Sequence, residues 1–312
     1  MYINLGKLIS KFVIQQMKEI LANELPFYIV DVFAEYKYEG NQLAVVVSED
    51  ILSDTMMQKI AKEMGFSETT FITSVENHDV RIFTPEKEIP FAGHPILGTA
   101  YILQKFFIKE KIKTISLNVK LGSIAVLFKY KGDVINEVWM EHKEPSFHGF
   151  FAPDVLAGVL GLEEDDIDAR FNIQEVSTGV PTIIVPIKTL DAVKRAKIKS
   201  EAYEHLIKNI QAKTILIFCP ETYNKNYDLN VRFFADYYGV PEDPATGSAA
   251  GCLASYLVRH EYFGKRTIDI KVEQGYEIGR NSLLLLRAEK KEKKFYVMVG
   301  GSVYLVAKGN FL

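Results

Sequence analysis

His94-Pro95-Ile96-Leu97-Gly98-Thr99-Ala100 and Asp243-Pro244-Ala245-Thr246-Gly247-Ser248-Ala249 are two versions of one pattern: a titratable residue, proline, two residues, glycine, a hydroxyl, alanine. An apolar helical run follows each, YILQKFF (101–107) and AGCLASYLV (250–258). A polar side chain and then proline reads as a helix start, because proline has no N–H to leave orphaned and its φ is already helical. Helices are therefore predicted from Pro95 and Pro244, capped by His94 and Asp243. Ser or Thr would cap as well, so folding does not require a titratable group at both caps. That points to chemistry.

The match extends upstream. Val80-Arg81-Ile82-Phe83 and Val231-Arg232-Phe233-Phe234 are matching strands, 14 residues ahead of His94 and 12 ahead of Asp243. A looser third correspondence pairs FSETTFITSV (66–75) with EVSTGVPTIIV (175–185), each a polar turn entering an apolar strand. Two similar units related by a pseudo-two-fold axis bring equivalent loops face to face, so the cleft between them is the expected site. Helix N-termini aimed into it would hold a carboxylate or an enolate-like oxygen on their free N–H groups. Gly93, Gly98 and Gly247 suit close approach of backbone or substrate. A lone glycine motif is more often helix–sheet packing; its repetition favours a site.

The rest of the chain fits an enzyme of ordinary size. Its 312 residues are 48% hydrophobic and 25% charged, enough for two domains, and the 37 Lys and Arg against 40 Asp and Glu leave a formal charge of -3. No global field would gather nucleic acid or anionic membrane. FYIVDVF (27–33) and LAVVVSE (43–49), broken by the turn YEGNQ with Gly40 and Asn41, read as a hairpin. ILSDTMMQKIAKEM (51–64) reads as a helix with Ser53 and Asp54 at its start and apolar positions at Ile51, Met56, Ile60 and Met64.

Cys219 and Cys252 have no CxxC spacing, which suits a reducing cytoplasm and suggests neither a disulfide framework nor a zinc site. No GxGxxG or GxxxxGK loop occurs, and no His, Cys or Asp cluster has metal-ligand spacing, so no cofactor and no metal is expected. EKKEKK (289–294) reads as a solvated hairpin turn and EEDDIDAR (163–170) as a surface acidic loop. The first twenty residues of the extension 1–24 carry no apolar run of spanning length and no small-residue cleavage site, so no signal peptide is expected there. Two readings of that extension stay open: a short amphipathic helix, or a true start at Met17.

The ordered set VDVF, GNQLAVVV, FSETTF, VRIFTP, PFAGHPILGTA, VRFFA and EDPATGSAAG, running from about Phe27 to the C-terminus, resembles the PhzF-like phenazine-biosynthesis family. That resemblance implies the diaminopimelate epimerase fold: an α+β protein of two pseudo-symmetric lobes, each a curved, mostly antiparallel sheet wrapped around a central helix. The lobes would span 25–145 and 146–302, with the last strand, about 303–312, returning to the first. It also implies a homodimer. The family's acid/base glutamate of the SET motif matches Glu68, with partners at His94 and Asp243. Gly93 and Ser248, with Thr246 and Gly247 beside them, match its substrate-binding positions.

Moving a proton between carbons of a small unsaturated or cyclic carboxylic or amino acid needs one group that removes it and returns it elsewhere. A carboxyl can do both, provided enclosure raises its pKa from the usual value near 4.3. Without its companions Glu68 would read as a solvated turn residue. A competing enzyme on the same scaffold, an amino-acid racemase or epimerase, would use two thiols; the helix mouths carry none, and Cys252 lies nine positions beyond Asp243. A non-catalytic small-molecule binding module is the alternative from another class.

Overall fold

The computed structural model describes residues 25–49 and 52–311. The two readings of residues 1–24, and Ile51 of the first helical stripe, lie outside the described residues. The predicted hairpin forms from β1 (Leu25–Val32) and β2 (Asn41–Val47), with Phe27 opposite Val46 and Val32 opposite Asn41. Gly40 makes its turn possible: φ is +71°, and an added Cβ would lie 2.4 Å from the Val32 carbonyl oxygen.

α1 (Asp54–Met64) begins at Ser53, whose hydroxyl accepts the Met56 N–H, and ends at Gly65 in the left-handed conformation. Its inner face is Met57, Ile60 and Ala61, whereas Met56 is exposed, so the buried stripe sits one residue on from the expected one. β3 (Glu68–Ser74) lies parallel to β2, and β4 (Asp79–Phe83) antiparallel to β3. A two-residue strand, β5 (Glu88–Ile89), pairs with β4 and leads to α2 (Gly93–Ile102), every residue of which is buried. A helix apolar on all sides is stable only when surrounded. β6 (Thr114–Val119), β7 (Gly122–Lys131) and β8 (Val134–Glu141) close round it as a meander.

The second half repeats this order. After β9 (Ser146–Phe151) and α3 (Pro153–Leu160), a hairpin of β10 (Ile173–Ser177) and β11 (Pro181–Pro186) leads through α4 (Leu190–Arg195) and α5 (Ser200–Ile207) to β12 (Thr214–Cys219), parallel to β11. β13 (Leu229–Phe234) runs antiparallel to β12, as β4 does to β3. The central helix α6 (Gly247–Arg259) is buried but for its exit turn and Ser248, and the meander β14 (Thr267–Gln274), β15 (Ser282–Lys291) and β16 (Lys294–Gly301) packs on it.

The third sequence correspondence is therefore out of register. The strand starting at Glu68 is equivalent to β12, and 175–185 is the β10–β11 hairpin, equivalent to β1–β2. Apolar strands entered by polar turns recur throughout, and only their pairing distinguishes them.

A reciprocal pair of strands ties the repeats, each following one meander and pairing with the hairpin of the other repeat. β9 joins β10, and the last strand, β17 (Val303–Phe311), pairs antiparallel along β1 from Leu25 opposite Phe311 to Val32 opposite Val303. β8 and β16 also pair directly, with Gly300 opposite Trp139, so the seventeen strands of the described residues form one hydrogen-bonded sheet. This is a pseudo-symmetric α+β architecture in which a curved sheet wraps two central helices. The Lys-rich run is the β15–β16 turn. In the acidic stretch Asp168 is buried rather than superficial, its carboxylate taking a forked pair of hydrogen bonds from Arg170 at 2.8 and 2.7 Å.

Gly98 sits where α2 presses on the first hairpin. A Cβ there would lie 2.5 Å from Leu43 Cδ2 and 3.0 Å from Val32 Cγ2. Gly98→Ala is expected to lower unfolding free energy by about 2 kcal/mol through overpacking, read by urea denaturation; an unchanged midpoint would contradict so close a contact.

Candidate active site

The strand start, the two helix mouths and the β2 turn converge at the junction of the halves. Glu68 is the first residue of β3 and keeps 17% of its side-chain surface exposed. His94, the second residue of α2, is 5% exposed. Its Nε2 lies 3.5 Å from Glu68 Oε2, and neither atom has a hydrogen-bond partner although both are buried. Buried polar atoms are nearly always paired, so two facing orphans mark a place where something else is meant to bind.

Asp243 comes from the loop before α6, is 8% exposed, and has both carboxylate oxygens held. Asn41 Nδ2 donates to Oδ1 at 2.9 Å, and the Thr246 hydroxyl donates to Oδ2. The Gln274 amide donates to the Asp243 carbonyl at 2.8 Å, and Glu242 next door takes a forked bond from Arg232.

The expected caps are not caps. α2 starts at Gly93 after Ala92, which places Pro95 third in the helix; α6 starts at Gly247 after Thr246, which leaves Pro244 in the loop. Any of the first helical positions tolerates proline, because none of their N–H groups has an intrahelical partner. In the second copy the loop stays open because Thr246 spends its hydroxyl on Asp243 and Ala245 gives its carbonyl to Asn41 at 2.9 Å.

Gly93, Thr246, Gly247 and Ser248 are brought together. A Cβ at Gly93 would lie 3.2 Å from the Ser248 nitrogen and 3.3 Å from Gly247 Cα, so the two helix N-termini abut. Their free N–H groups and partial positive charges converge beside Glu68 and His94, an arrangement suited to an anionic ligand.

Burial sets the protonation states. It pushes the Glu68 carboxyl up to about 7, against a hydrogen bond from Ser67 that lowers it. Burial also pulls His94 down to about 4, although the Asp243 charge and a hydrogen bond with the Gln42 backbone work the other way. Asp243 is raised to about 6 by burial, opposed first by His94. Near neutral pH the site holds a half-protonated carboxyl, a neutral imidazole and a carboxylate fixed by two donors.

Neither thiol belongs here. Cys252 is buried on α6 with Sγ 3.6 Å from the Val180 carbonyl oxygen, and Cys219 is buried on β12. A groove of about 550 Å³ lies elsewhere, between β4 and β6; its Arg81 is already matched by Glu88 and Asp54.

The family model described as phenazine biosynthesis-like protein matches residues 30–309, which contain all of these side chains. The chain belongs to this family. Among its phenazine biosynthesis-like relatives, the trans-2,3-dihydro-3-hydroxyanthranilate isomerase of Pseudomonas fluorescens is 32% identical, over 92% of this chain and 99% of that protein. A Bacillus anthracis phenazine biosynthesis protein of the PhzF family superposes with a TM-score of 0.84 at 29% identity, covering 93% of this chain and 99% of that one. A probable proline racemase from Agrobacterium radiobacter K84 shares the fold at a TM-score of 0.62 and 8% identity, over 92% and 93% of the two chains. This phenazine biosynthesis-like protein is an isomerase.

Sequence reasoning passed over Asn41, Ser67 and Gln274. Asn41 was visible only as a turn residue after Gly40; its position at the mouth of a fully apolar strand was the available signal. Nothing marked Gln274, the last residue of a strand.

Proposed function

We propose that the protein is a cofactor-independent isomerase that moves a proton between carbons of a small cyclic or unsaturated carboxylic or amino acid, with Glu68 as its acid/base. The observation that carries this reading is the Glu68–His94 pair, 3.5 Å apart with facing atoms that have no other partner. The abutting helix N-termini, with Gly93, Thr246, Gly247 and Ser248, would receive the substrate's carboxylate and the negative charge that develops on it. The Glu68 carboxylate takes a proton from one carbon, leaving a delocalised anion, and returns it to another carbon of the same system, so the carboxylate is regenerated. A pKa near 7 makes it both a competent base and a competent acid at neutral pH. His94 exchanges protons with Glu68 or a polar group of the substrate, and Asp243 orients that polar group.

The racemase alternative lacks its two thiols, and a binding module would have no use for a carboxyl raised to neutrality. The test is incubation with trans-2,3-dihydro-3-hydroxyanthranilate, the compound in the relatives' names, in D₂O. Isomerised product carrying deuterium at one ring carbon is expected. Binding without exchange at any carbon would instead favour the module.

Family resemblance also supports a homodimer, testable by light scattering, with 25–145 and 146–302 as its lobes. The two unpaired buried cysteines support a cytoplasmic setting. No helix among the described residues is long and apolar enough to cross a membrane.

A further inference from the structure

We propose that Asn41 is a positioning residue that holds the two carboxyls of the cleft in fixed relation across the junction of the halves. This rests on the reading of Glu68 and Asp243 as members of the acid/base site.

Asn41 is 2% exposed, and every hydrogen-bonding group of its amide is used. Nδ2 donates to Asp243 Oδ1 and to the Ala245 carbonyl, each at 2.9 Å and each more than 200 residues away along the chain. Its Oδ1 accepts the Ser67 hydroxyl at 3.3 Å, and Ser67 is the residue before Glu68. One amide thus spans from the strand that carries the first carboxyl to the loop that carries the second.

Its own backbone is pinned from the far half. Arg280 donates to the carbonyls of Tyr38, Glu39 and Gly40 at 2.7, 2.8 and 3.0 Å and to Asp31 Oδ1 at 2.8 Å, while the Gly40 N–H donates to the Asn281 carbonyl at 2.8 Å. The turn that aims Asn41 cannot drift without breaking these bonds. A residue needed only to make the turn would not require a buried amide directed at a carboxylate.

The Ser67 hydroxyl has a single proton and two acceptors within reach of its segment, Asn41 Oδ1 and the Glu68 carboxyl. The geometry gives that proton to Asn41 Oδ1, which ties the amide to the residue beside Glu68. The groups facing Asp243 are Glu68 from β3, His94 from α2, Thr246 and Gln274; Glu242, its chain neighbour, is committed to Arg232.

Removing a donor from a carboxylate raises its titration midpoint, which a residue that merely fills space would not do. The experiment compares Asn41→Ala with the near-isosteric Asn41→Asp in the full chain, following the Asp243 carboxyl carbon by NMR across pH 3–9, with the signal assigned by its loss in Asp243→Asn. The Asp243 midpoint is expected to rise by about one unit in N41A and further in N41D, where two carboxyls meet. With the D₂O exchange probe, kcat is expected to fall about tenfold or more, with KM changed far less and the acidic limb moved upward. An unmoved midpoint in N41A overturns the proposal, because that variant removes the donor without adding a charge, whereas N41D also brings a second carboxyl. If N41A does not fold, Asn41→Leu, of nearly the same size and likewise without donor or charge, decides in its place. If the wild-type protein turns over no acid at all, the titration still judges Asn41, and only the reaction falls.

Discussion

Glu68→Gln is expected to abolish proton transfer, lowering kcat by roughly 10³-fold or more with a much smaller change in KM. The amide keeps the shape of the carboxyl and can still offer a hydrogen bond to His94 Nε2, 3.5 Å away in the native site. What it loses is the ability to carry a proton. His94 cannot replace it as the base that takes a proton from carbon, because burial holds its imidazole neutral down to about 4 and leaves it a weak base. Asp243 is a poor substitute, since the donors Asn41 and Thr246 fix its carboxylate in place and stabilise its charged form. Deuterium exchange into the relatives' named substrate, measured for both proteins at pH 7, checks this. Wild-type exchange rates in E68Q would remove Glu68 from the mechanism and return the proton to one of its neighbours.

The helix mouths of this site could be read from the sequence because they are repeated within it, whereas Glu68 came only with the family's SET motif. A titratable residue, a proline and a glycine in one spacing, placed twice, located both helix mouths, and the apolar runs behind them located the buried helices. The helix starts escaped because proline fits several positions of a first turn, and the sequence does not distinguish Pro95, third in its helix, from Pro244, ahead of its own. The return of the last strand to the first half came with the family resemblance, whereas its counterpart β9 and the pairing partners themselves escaped for a different reason. β17 on β1 and β9 on β10 are pairings of edges, and an alternating strand carries no mark of its partner. Asn41 was hidden most completely. Its amide acquires meaning only when a loop 202 residues away is folded against it, whereas locally it is one more polar residue after a glycine.

The same carboxyl should reveal itself in stability, with no substrate present. Glu68 is raised from 4.5 to about 7 in the folded protein, chiefly because its charged form is desolvated. Between those values the folded chain keeps a proton that the unfolded chain has released, so stability falls as pH rises through this window and levels off above it. At 1.36 kcal/mol per unit the loss is about 3 kcal/mol. Asp243, raised from 3.8 to about 6, acts in the same direction, and His94, lowered from 6.5 to about 4, acts in the opposite one, so the wild-type curve alone is a blend. Subtracting it from that of Glu68→Gln isolates the carboxyl. The variant's advantage in unfolding free energy is expected to grow by about 3 kcal/mol from pH 4.5 to 7 and then stay constant, as read by urea denaturation at half-unit steps. Release of Asp243 from the Glu68 charge adds to the gain with the same sign. A flat difference would mean that Glu68 is solvated in the folded protein, and a difference of opposite slope that a cation neutralises it. Either result would deprive the proton-transfer reading of its physical basis, because the desolvation that makes the carboxyl costly to fold is what brings its pKa to neutrality.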